Sequence, residues 1–358
     1  MTAAPIPMHN LQLDDDQTLI LDTVKKFVQD AVAPHAQEHD EHRRFARGEL
    51  QGLAELGLFG LPVPEAKGGV GMGLLPLAAA AEEIGSHSGS LARLLAEQVL
   101  CTVALAHADA AGPLDELIAG TKVAAFVGRE HGIACKQGRL GGSAELVPAA
   151  AEADVFVVAA RDGQDPVLAV ADAAACKRTP LRALGLASAA PARIAFADVA
   201  ATVVATGAAA TAALRRVEVL AWIASAAACV GMGRGAVQFA HKHAGERIAF
   251  GKPLLAQQAV ARKLVESRRA VDAARHLVFH AARLHDLGEG AEAAAMAARV
   301  AAVDAAVAAA DEGIQIHGGF GYVVEYHVKR HYRDAKTLEA LDGGNERLRD
   351  RLAALQFG

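Results

Sequence analysis

The first third of the chain repeats its apolar positions with the period of an α-helix. Over about residues 14–120 they recur every three or four positions, a spacing typical of helices that bury one face. In the first helix these positions are Leu19, Ile20, Val24, Phe27, Val28 and Ala31. Pro34 ends that helix, because proline lacks an N–H donor and clashes with the preceding turn. A second helix is predicted from near Gly48, followed by a loop rich in proline and glycine over residues 62–71 and a longer helix through residues 82–84.

The middle of the chain changes to the pattern of β-strands. Short runs rich in β-branched and apolar residues are separated by Gly, Pro and Asp-Gly turn signals. The runs cover residues 123–127, 155–159, 167–170 and 193–196. Short strands at this spacing predict a small barrel or sandwich rather than alternating strands and helices.

The last part of the chain is helical again. The predicted long helices cover residues 218–248, 254–287 and 292–316. The sequence therefore predicts an α+β fold in three parts. These are an N-terminal helical domain over residues 1–120, a middle β domain over residues 121–206 and a C-terminal helical bundle over residues 207–358.

Composition and charge narrow the classes of function. Alanine is abundant and favours helices over strands. The 358 residues carry a net charge of −5 without a block of Lys and Arg, so neither nucleic acid nor an anionic membrane is an expected partner. No apolar run of membrane-spanning length is free of charged or polar breaks, so no membrane span is predicted.

Cysteine and histidine give no sign of a metal site. The four cysteines lie far apart, without the close pairs of zinc or redox motifs. His276 and His280 are spaced like metal ligands on a helix, but no glutamate accompanies them as in known zinc motifs, and solvated histidines are the better interpretation. The first ten residues lack the basic and apolar parts of a secretory signal, so we expect a cytoplasmic protein.

The segment from Arg247 to Gln258 is the strongest candidate for binding chemistry. One predicted helix ends at a Gly-Lys-Pro turn and the next begins. Arg247 offers a forked, permanently charged donor that suits a pyrophosphate. Phe250 offers an aromatic face to a planar ring, and Gln258 lies near a helix N-terminus, which carries partial positive charge. Taken alone, the segment is equally compatible with a helical hairpin that bears a surface arginine.

Two further segments combine glycine with polar residues. Residues 315–322 include Gly318 and Gly319, which let a backbone approach a ligand closely, although a helix end followed by a turn is the commoner meaning of such a segment. Residues 342–346 place the carboxylate of Asp342 on a glycine-rich loop before the last helix.

Together these segments resemble the acyl-CoA dehydrogenase family. The family pattern is Arg-x-x-Phe-Gly with a Gln eleven residues after the Arg, then Gln-x-x-Gly-Gly-x-Gly, an Arg-Asp pair, and Tyr-Glu-Gly-Thr before the final helix. The matching residues in this chain are Arg247, Phe250, Gly251, Gln258, Gln315, Gly318, Gly319, Gly321, Arg333 and Asp334. Segments 55–60, 62–65, 68–71 and 82–85 are similar to the family's first helical domain, so the resemblance covers nearly the whole chain.

The resemblance implies an acyl-CoA dehydrogenase-like fold and FAD as cofactor. Arg247, Phe250 and Gln258 would reach the flavin's phosphates and adenosine from a neighbouring subunit, so the resemblance implies a homo- or hetero-oligomer, a dimer or a tetramer. The residues implied against the adenosine-pyrophosphate region are Gln315, Gly318 and Gly319. The implied reaction is α,β-dehydrogenation of an acyl-CoA substrate, with an electron-transfer flavoprotein as acceptor.

The catalytic carboxylate is where the chain departs most from the family. In many members the base that removes the α-proton is the Glu of Tyr-Glu-Gly-Thr. Here Asp342 holds that position, and Leu341 and Gly344 replace the Tyr and the Thr. Aspartate is one methylene shorter, so either the backbone lies nearer the substrate or the substrate lies differently. A second location that some members use holds Ala221, with Glu218 one helical turn away.

The middle domain departs from the family as well, and three functions remain open. Residues 128–133 and 144–149 stand where members often carry polar segments that flank the flavin ring. The first function is an active dehydrogenase with Asp342 as base. The second is a degenerate partner subunit of a heteromeric dehydrogenase. The third is altered flavin chemistry of the nitroalkane oxidase or desulfinase type, which would release peroxide or sulfite.

A cluster of glycines inside the first C-terminal helix superficially resembles a dinucleotide-binding loop. It consists of Gly231, Gly233 and Gly235. No predicted strand precedes it, as a dinucleotide fold requires, so close packing of helices is the better interpretation.

Overall fold

The chain forms two groups of helices that are separated along the sequence by a β-barrel. The computed structural model describes residues 12–108, 112–323 and 325–358. The order of helices, then strands, then helices confirms the predicted α+β class.

The N-terminal helices pack around an apolar core. They are α1 (Asp15–Phe27), α2 (Ala36–His42), α3 (Arg47–Glu55), α4 (Leu75–Gly85), α5 (Gly89–Ala108) and α6 (Leu114–Ile118). Asp14 begins α1 with a reciprocal cap: its carboxylate accepts from the Gln17 N–H, and the Gln17 side chain accepts from the Asp14 N–H. A π-helical turn over Val28–Val32 carries the chain on to Pro34, where the helix ends as predicted.

The middle region is a closed barrel. Its strands are β1 (Ala124–Val127), β2 (Ile133–Lys136), β3 (Arg139–Val147), β4 (Val155–Asp162), β5 (Asp165–Asp172), β6 (Lys177–Pro180) and β7 (Ala192–Thr206). Strands β4, β2, β3, β7 and β5 pair in that order, and β5 pairs back with β4. Closure satisfies the edges of these strands, while β1 and β6 extend the sheet from β4 and β7.

The strands that the sequence analysis missed are β2, β3 and β6. Glycines around residue 141 suggested a turn, but they lie within a hairpin. Gln137 and Gly138 form its two-residue turn, both with positive φ (49° and 73°). The pairing of β3 with β7 then shifts register between Leu140 and Gly141, because Asp198 of β7, with a φ of 59°, is an extra residue opposite that step.

The C-terminal helices form a bundle around α7. They are α7 (Gly207–Glu246), α8 (Gln258–Asp286), α9 (Glu292–His317), α10 (Val328–Leu338) and α11 (Asn345–Phe357). A short strand pair, β8 (Ile248–Ala249) and β9 (Lys252–Pro253), joins α7 to α8. Helix α7 begins at Gly207, well before the predicted start at residue 218. It is apolar on most faces, because it packs against α4, α5, α8 and α9, and an all-round apolar helix has no period that marks its start.

Glycines let α7 cross α4 at very short range. A Cβ on Gly231 would lie 2.1 Å from the carbonyl oxygen of Glu82, and one on Gly235 would lie 2.3 Å from that of Ser86. Only a residue without a Cβ fits there. The helix-packing interpretation of this glycine cluster is therefore confirmed.

Three helical segments are long and apolar enough, by length and composition alone, to span a membrane. They are α5, α7 and Glu292–Tyr322. Their most apolar windows are 100%, 89% and 56% buried against other parts of the chain. Their apolar character is thus accounted for by the protein core, which includes most of these side chains.

Candidate active site

A cavity of about 270 Å³ lies between α5, α7, the barrel and the loop before α11. We call it the central cavity. One wall is a single face of α7, whose lining residues recur at helical spacing: Leu214, Val217, Glu218, Ala221 and Trp222. The cavity combines apolar walls with a few charged groups, which is the usual composition of a small-molecule site.

The loop between α10 and α11 delivers Asp342 to this cavity. Asp342, Gly343 and Gly344 have φ values of 55°, 91° and 79°, so three successive residues have positive φ. Glycine adopts positive φ freely, and aspartate does so more readily than most other residues. The tight turn leaves 9% of the Asp342 side chain exposed.

Asp342 is bound by an arginine fork. Arg93 of α5 donates from Nη1 to Oδ2 at 2.6 Å and from Nη2 to Oδ1 at 2.9 Å. The Ser225 hydroxyl of α7 donates to Oδ2 at 2.8 Å. On its other side Arg93 donates to Glu97 from Nε at 2.9 Å and from Nη2. We call Arg93, Glu97, Ser225 and Asp342 the cavity floor.

The two carboxyl groups of the cavity floor, Asp342 and Glu97, differ in the direction of their pKa shifts. Burial acts to raise the pKa of Asp342, but the Arg93 guanidinium, its hydrogen bonds and Arg299 outweigh burial and hold that pKa below its ordinary value. Burial also raises the pKa of Glu97, and there the opposing effect of Arg93 and the Phe126 N–H does not prevail. The two pKa values are thus shifted in opposite directions, because Asp342 lies near both Arg93 and Arg299.

Glu218 faces the same cavity from one turn before Ala221. Its carboxylate lies 3.4 Å from Arg129 and 4.0 Å from Arg351. Burial raises the pKa of Glu218, with the two arginines opposing. Sequence analysis placed Glu218 near the empty second base position without a direction, and the structure shows that it lies in the cavity wall.

Both barrel segments that depart from the family pattern line the cavity. Residues 128–131 and 146–148 form its barrel side, next to Phe126 of β1. Both segments therefore lie in the same cavity as Asp342. Arg351 stacks over the Trp222 ring at 4.8 Å and closes the cavity towards α11.

The residues predicted to bind the cofactor lie elsewhere, on an exposed surface. Arg247 ends α7, and Phe250 with Gly251 forms the tip of the β8–β9 hairpin, with φ values of 53° and 78°. The Phe250 side chain is 96% exposed. Gln258 is the first residue of α8. We call Arg247, β8, the tip and β9 the exposed hairpin.

Gln315, Gly318 and Gly319 lie at the same end of the helical bundle as the exposed hairpin. A small apolar cluster joins the ends of α7 and α9 to the start of α8 through Ala240, Leu264 and Ile316, among others. A Cβ on Gly318 or Gly319 would meet nothing within 4 Å, so packing within the chain does not require glycine there. The six predicted cofactor residues are exposed, and none of them lines the central cavity.

These exposed residues have the chemistry to hold a cofactor such as FAD. They include the almost fully exposed ring of Phe250 and the exposed guanidinium of Arg247, three residues before it. They also include Gly318 and Gly319, which have open space next to their backbone. Such a surface can bind a further molecule. An open groove of about 960 Å³ between α8 and α9 has Gln258 in its wall.

Sequence analysis missed Arg93, Glu97 and Ser225. A signal was present, since Arg93 and Glu97 are the only Asp, Glu, Lys or Arg residues of α5 and stand four apart on one helix face. Charged residues in an otherwise apolar helix are buried only when they are paired. Ser225 carried no comparable signal. Within the described residues, no group of His, Cys, Asp and Glu could hold a metal ion.

Comparison with known proteins agrees with the fold. Models of the acyl-CoA dehydrogenase N-terminal and C-terminal domains match residues 14–110 and 220–356. A probable acyl-CoA dehydrogenase of Bacillus subtilis is 28% identical over 94% of this chain and 97% of its own length.

Solved structures are similar over the whole chain. Butyryl-CoA dehydrogenase from Megasphaera elsdenii superposes with a TM-score of 0.89 at 23% identity, over 98% of this chain and 100% of that one. A chain from a study of the electron-transferring flavoprotein of Acidaminococcus fermentans has the same TM-score and coverage at 25% identity. The protein therefore belongs to the acyl-CoA dehydrogenase family of FAD flavoproteins and is an oxidoreductase.

Proposed function

We propose that the protein dehydrogenates an acyl-CoA thioester between its α- and β-carbons, with Asp342 as the base. The observation that carries this proposal is the position of the Asp342 carboxylate in the wall of the central cavity, where it is paired with Arg93. The α-proton would pass to this carboxylate while the β-hydrogen leaves as hydride, so one C–C double bond forms as two C–H bonds break. A thioester carbonyl acidifies the α-carbon when it is polarised by hydrogen bonds.

The geometry favours Oδ1 of Asp342 as the proton acceptor. Oδ2 already accepts from Arg93 and from Ser225, whereas Oδ1 accepts only from Arg93. A carboxylate oxygen has two lone pairs, so Oδ1 keeps one for the α-proton. The apolar wall of Leu100, Val217 and Trp222 would exclude water from the acyl group.

FAD would be held by the residues that the family pattern marks. We propose that Arg247, Phe250 and Gln258 bind its phosphates and adenosine in a neighbouring subunit, and that Gln315, Gly318 and Gly319 lie against its adenosine-pyrophosphate part. When bound, FAD supplies the acceptor for the hydride. The exposure of all six residues supports this division between two chains.

Partners follow from the same proposal. A dimer or tetramer would cover the exposed hairpin, including the 57% exposed Ile248 and the 96% exposed Phe250. An electron-transfer flavoprotein is proposed as acceptor, supported by the similarity to the chain from the study of such a flavoprotein. We also propose a cytoplasmic location, with which the four free cysteines agree.

The test is the visible spectrum of the purified protein under anaerobic addition of acyl-CoA thioesters. The proposal expects a yellow protein whose flavin is bleached by one class of thioester, which would also identify that class. If no thioester bleaches the flavin but peroxide or sulfite is formed, the result would support altered flavin chemistry instead. A yellow protein that none of the thioesters bleaches contradicts the proposed reaction.

A second candidate is the degenerate subunit of a heteromeric dehydrogenase. The observation that favours it is the bidentate contact of Arg93 with the base, since a strongly stabilised carboxylate has less tendency to take a proton. In that case the purified chain alone would be colourless, and co-expression with a second family member would give a yellow complex. The exposed hairpin would then serve the cofactor site of the partner.

A further inference from the structure

Two charged residues interrupt the apolar helix α5, and both are almost fully buried. Arg93 is 4% exposed and Glu97 is 0% exposed. Placing two charges in a protein interior is costly unless each is paired and hydrogen-bonded. The contacts of Arg93 and Glu97 should therefore indicate their role.

Arg93 uses its whole hydrogen-bonding capacity at the cavity floor. A guanidinium has five N–H donors. Nε donates to Glu97, Nη1 donates to Ser225 at 3.0 Å and to Asp342, and Nη2 donates to Glu97 and to Asp342. All its donors thus have partners, and its orientation is fixed.

The barrel anchors this arrangement from the other side. Oε2 of Glu97 accepts from the Phe126 N–H of β1 at 3.0 Å. The chain of contacts therefore runs from the backbone of β1 through Glu97 and Arg93 to Asp342, with Ser225 joining it from α7. A short aspartate on a glycine-rich loop is thereby attached to three rigid elements.

Arg93 affects both the charge and the orientation of Asp342. Without Arg93, Asp342 would lie buried beside Arg299 alone, at 3.9 Å, and burial would favour its protonated form. A protonated aspartate cannot accept an α-proton. Without the fork, the side chain on its flexible loop could also turn away from the substrate, and small misplacements are costly in proton transfer.

We propose that Arg93 is a positioning residue for the reaction: its fork orients Asp342, keeps it charged and leaves Oδ1 for the α-proton. This inference rests on the proposed function of Asp342. Arg93 itself does not need to contact the substrate. Glu97 holds Arg93, and so acts one step further from the reacting atoms.

The test separates charge from orientation with two substitutions. Arg93→Gln removes the charge, so the pKa of Asp342 should rise. In a plot of the flavin bleaching rate against pH, the rate falls on the acid side as Asp342 is protonated, and we call that part of the curve the acid limb. In Arg93→Gln the acid limb should shift to higher pH by at least about one unit, which corresponds to a tenfold gain in proton affinity. Arg93→Lys keeps the charge but not the fork, so kcat should fall at least about tenfold with KM and the acid limb little changed.

Arg234 provides a matched control. It is a partly buried arginine that bridges Glu82 and Glu83 between α7 and α4, outside the central cavity. Arg234→Gln should change stability without moving the acid limb. The inference is overturned if Arg93→Gln leaves the limb in its wild-type place, or if Arg93→Lys keeps the wild-type kcat.

A stability measurement tests the same inference without any turnover. In the background Arg93→Gln/Glu97→Gln, the raised pKa of Asp342 should make the free energy of unfolding fall between about pH 4 and pH 7, since the folded state then binds the proton more tightly. Adding Asp342→Asn should remove this contribution and leave only the slope that other buried carboxyls, such as Asp334, give to both variants. Identical slopes with and without Asp342→Asn would contradict the inference even for a protein that bleaches normally.

The two readouts also separate this inference from the proposed function. Failure of every thioester to bleach the wild type overturns the reaction, while the stability slopes still decide what Arg93 does to Asp342. If the glutamine variants do not fold, Arg93→Lys decides the matter through its separate effects on kcat and KM.

Discussion

The cavity floor and the exposed hairpin use arginine in opposite ways. Arg93 is 4% exposed, and all its donors are satisfied within the chain. Arg247 is exposed, and within the described residues its guanidinium forms no ion pair with a carboxylate. The guanidinium of Arg93 is thus fully bound within the chain, whereas that of Arg247 is accessible to a molecule outside the chain.

The difference shows which functional parts a single chain completes. The cavity floor is a closed network that this chain builds from three elements, so its properties can be derived from one subunit. In the proposed function the exposed hairpin is half of a cofactor site, and the 96% exposed Phe250 would be covered only when another surface binds there. Substitutions should therefore act differently in the two regions.

Asp342→Asn should have the largest effect. It keeps the shape of the side chain and tolerates the left-handed φ of 55°. It removes the proton acceptor, so the rate of flavin bleaching should fall by about a thousandfold, within the usual range for a general base. The measurement is stopped-flow absorbance with the active thioester.

The matched control for this change is Asp198→Asn. Asp198 also has a positive φ (59°) and pairs with an arginine, Arg139, but its side chain is 74% exposed on the barrel. Its substitution should leave the bleaching rate unchanged. A wild-type rate in Asp342→Asn would exclude Asp342 as the base and turn attention to Glu218 in the same cavity.

Arg247→Gln should weaken FAD retention rather than chemistry. A hydrogen bond to a charged group contributes about 1.5–3 kcal/mol, so the Kd for FAD should rise by about 10- to 100-fold. Because Arg247 is exposed, the melting temperature of the apoprotein should not change. The measurement is flavin absorbance per protein after dialysis.

Arg161 on the barrel, an exposed arginine outside the family pattern, is the control for this substitution. Arg161→Gln should retain FAD as the wild type does. Equal retention by both variants would remove Arg247 from the proposed cofactor site and weaken the comparison between the two regions.

Gly231→Ala should disturb the packing of α7, the helix that carries Ser225 of the cavity floor. Its Cβ would lie 2.1 Å from the Glu82 carbonyl oxygen, so α7 must move away from α4. Such overpacking typically costs about 1–3 kcal/mol, and chemical denaturation would measure it. Gly245→Ala on the same helix meets nothing within 4 Å and should be neutral or slightly stabilising. Equal stability of the two variants would refute the close crossing of α7 and α4.

Asp334→Asn should have the smallest effect, and only on the pH dependence of stability. Burial, reinforced by Asp40, raises the pKa of Asp334 to about 7, against the Leu186 N–H and two arginines. A raised pKa gives stability that is complete below the unfolded value near 4 and is lost as the pH rises through about 7. The wild type should lose about 1.4 kcal/mol between pH 6 and pH 8 from this group.

In Asp334→Asn this loss should be absent, because the amide does not titrate, while its oxygen can still accept from the Leu186 N–H. Thermal melting at the two pH values would measure it. The exposed Asp304→Asn is the control and should keep the wild-type slope. A steep slope in Asp334→Asn would assign the pH dependence to another group.

The fold was largely predictable because its elements carry local signals. Apolar periodicity located most helices, and β-branched runs located four strands of the barrel. The misses have local causes as well: the glycines at positions 138, 141 and 142 made β3 resemble a turn, and α7 is apolar on most faces, so its start was placed too late. The boundaries proposed between the three domains remain a prediction.

The candidate site was only half predictable. Asp342 and the two departing barrel segments were found by their place in a sequence pattern, and the structure brings them to one cavity. Arg93 was not found, although its spacing to Glu97 gave a signal. Its partner Asp342 is 249 residues away in the sequence, and no local rule connects residues at that distance.

By itself the sequence determined the family, the order of helical and β regions, and which residues carry the cofactor pattern. These depend on local periodicity and on short motifs that persist whatever the packing. Only the tertiary structure decided that Glu218 faces the cavity, that the residues predicted to bind the cofactor lie on an open surface, and that Arg93 binds both oxygens of Asp342. The physical reason is that proton affinity depends on burial and on charges a few ångströms away, which the folded chain sets and the order of residues does not.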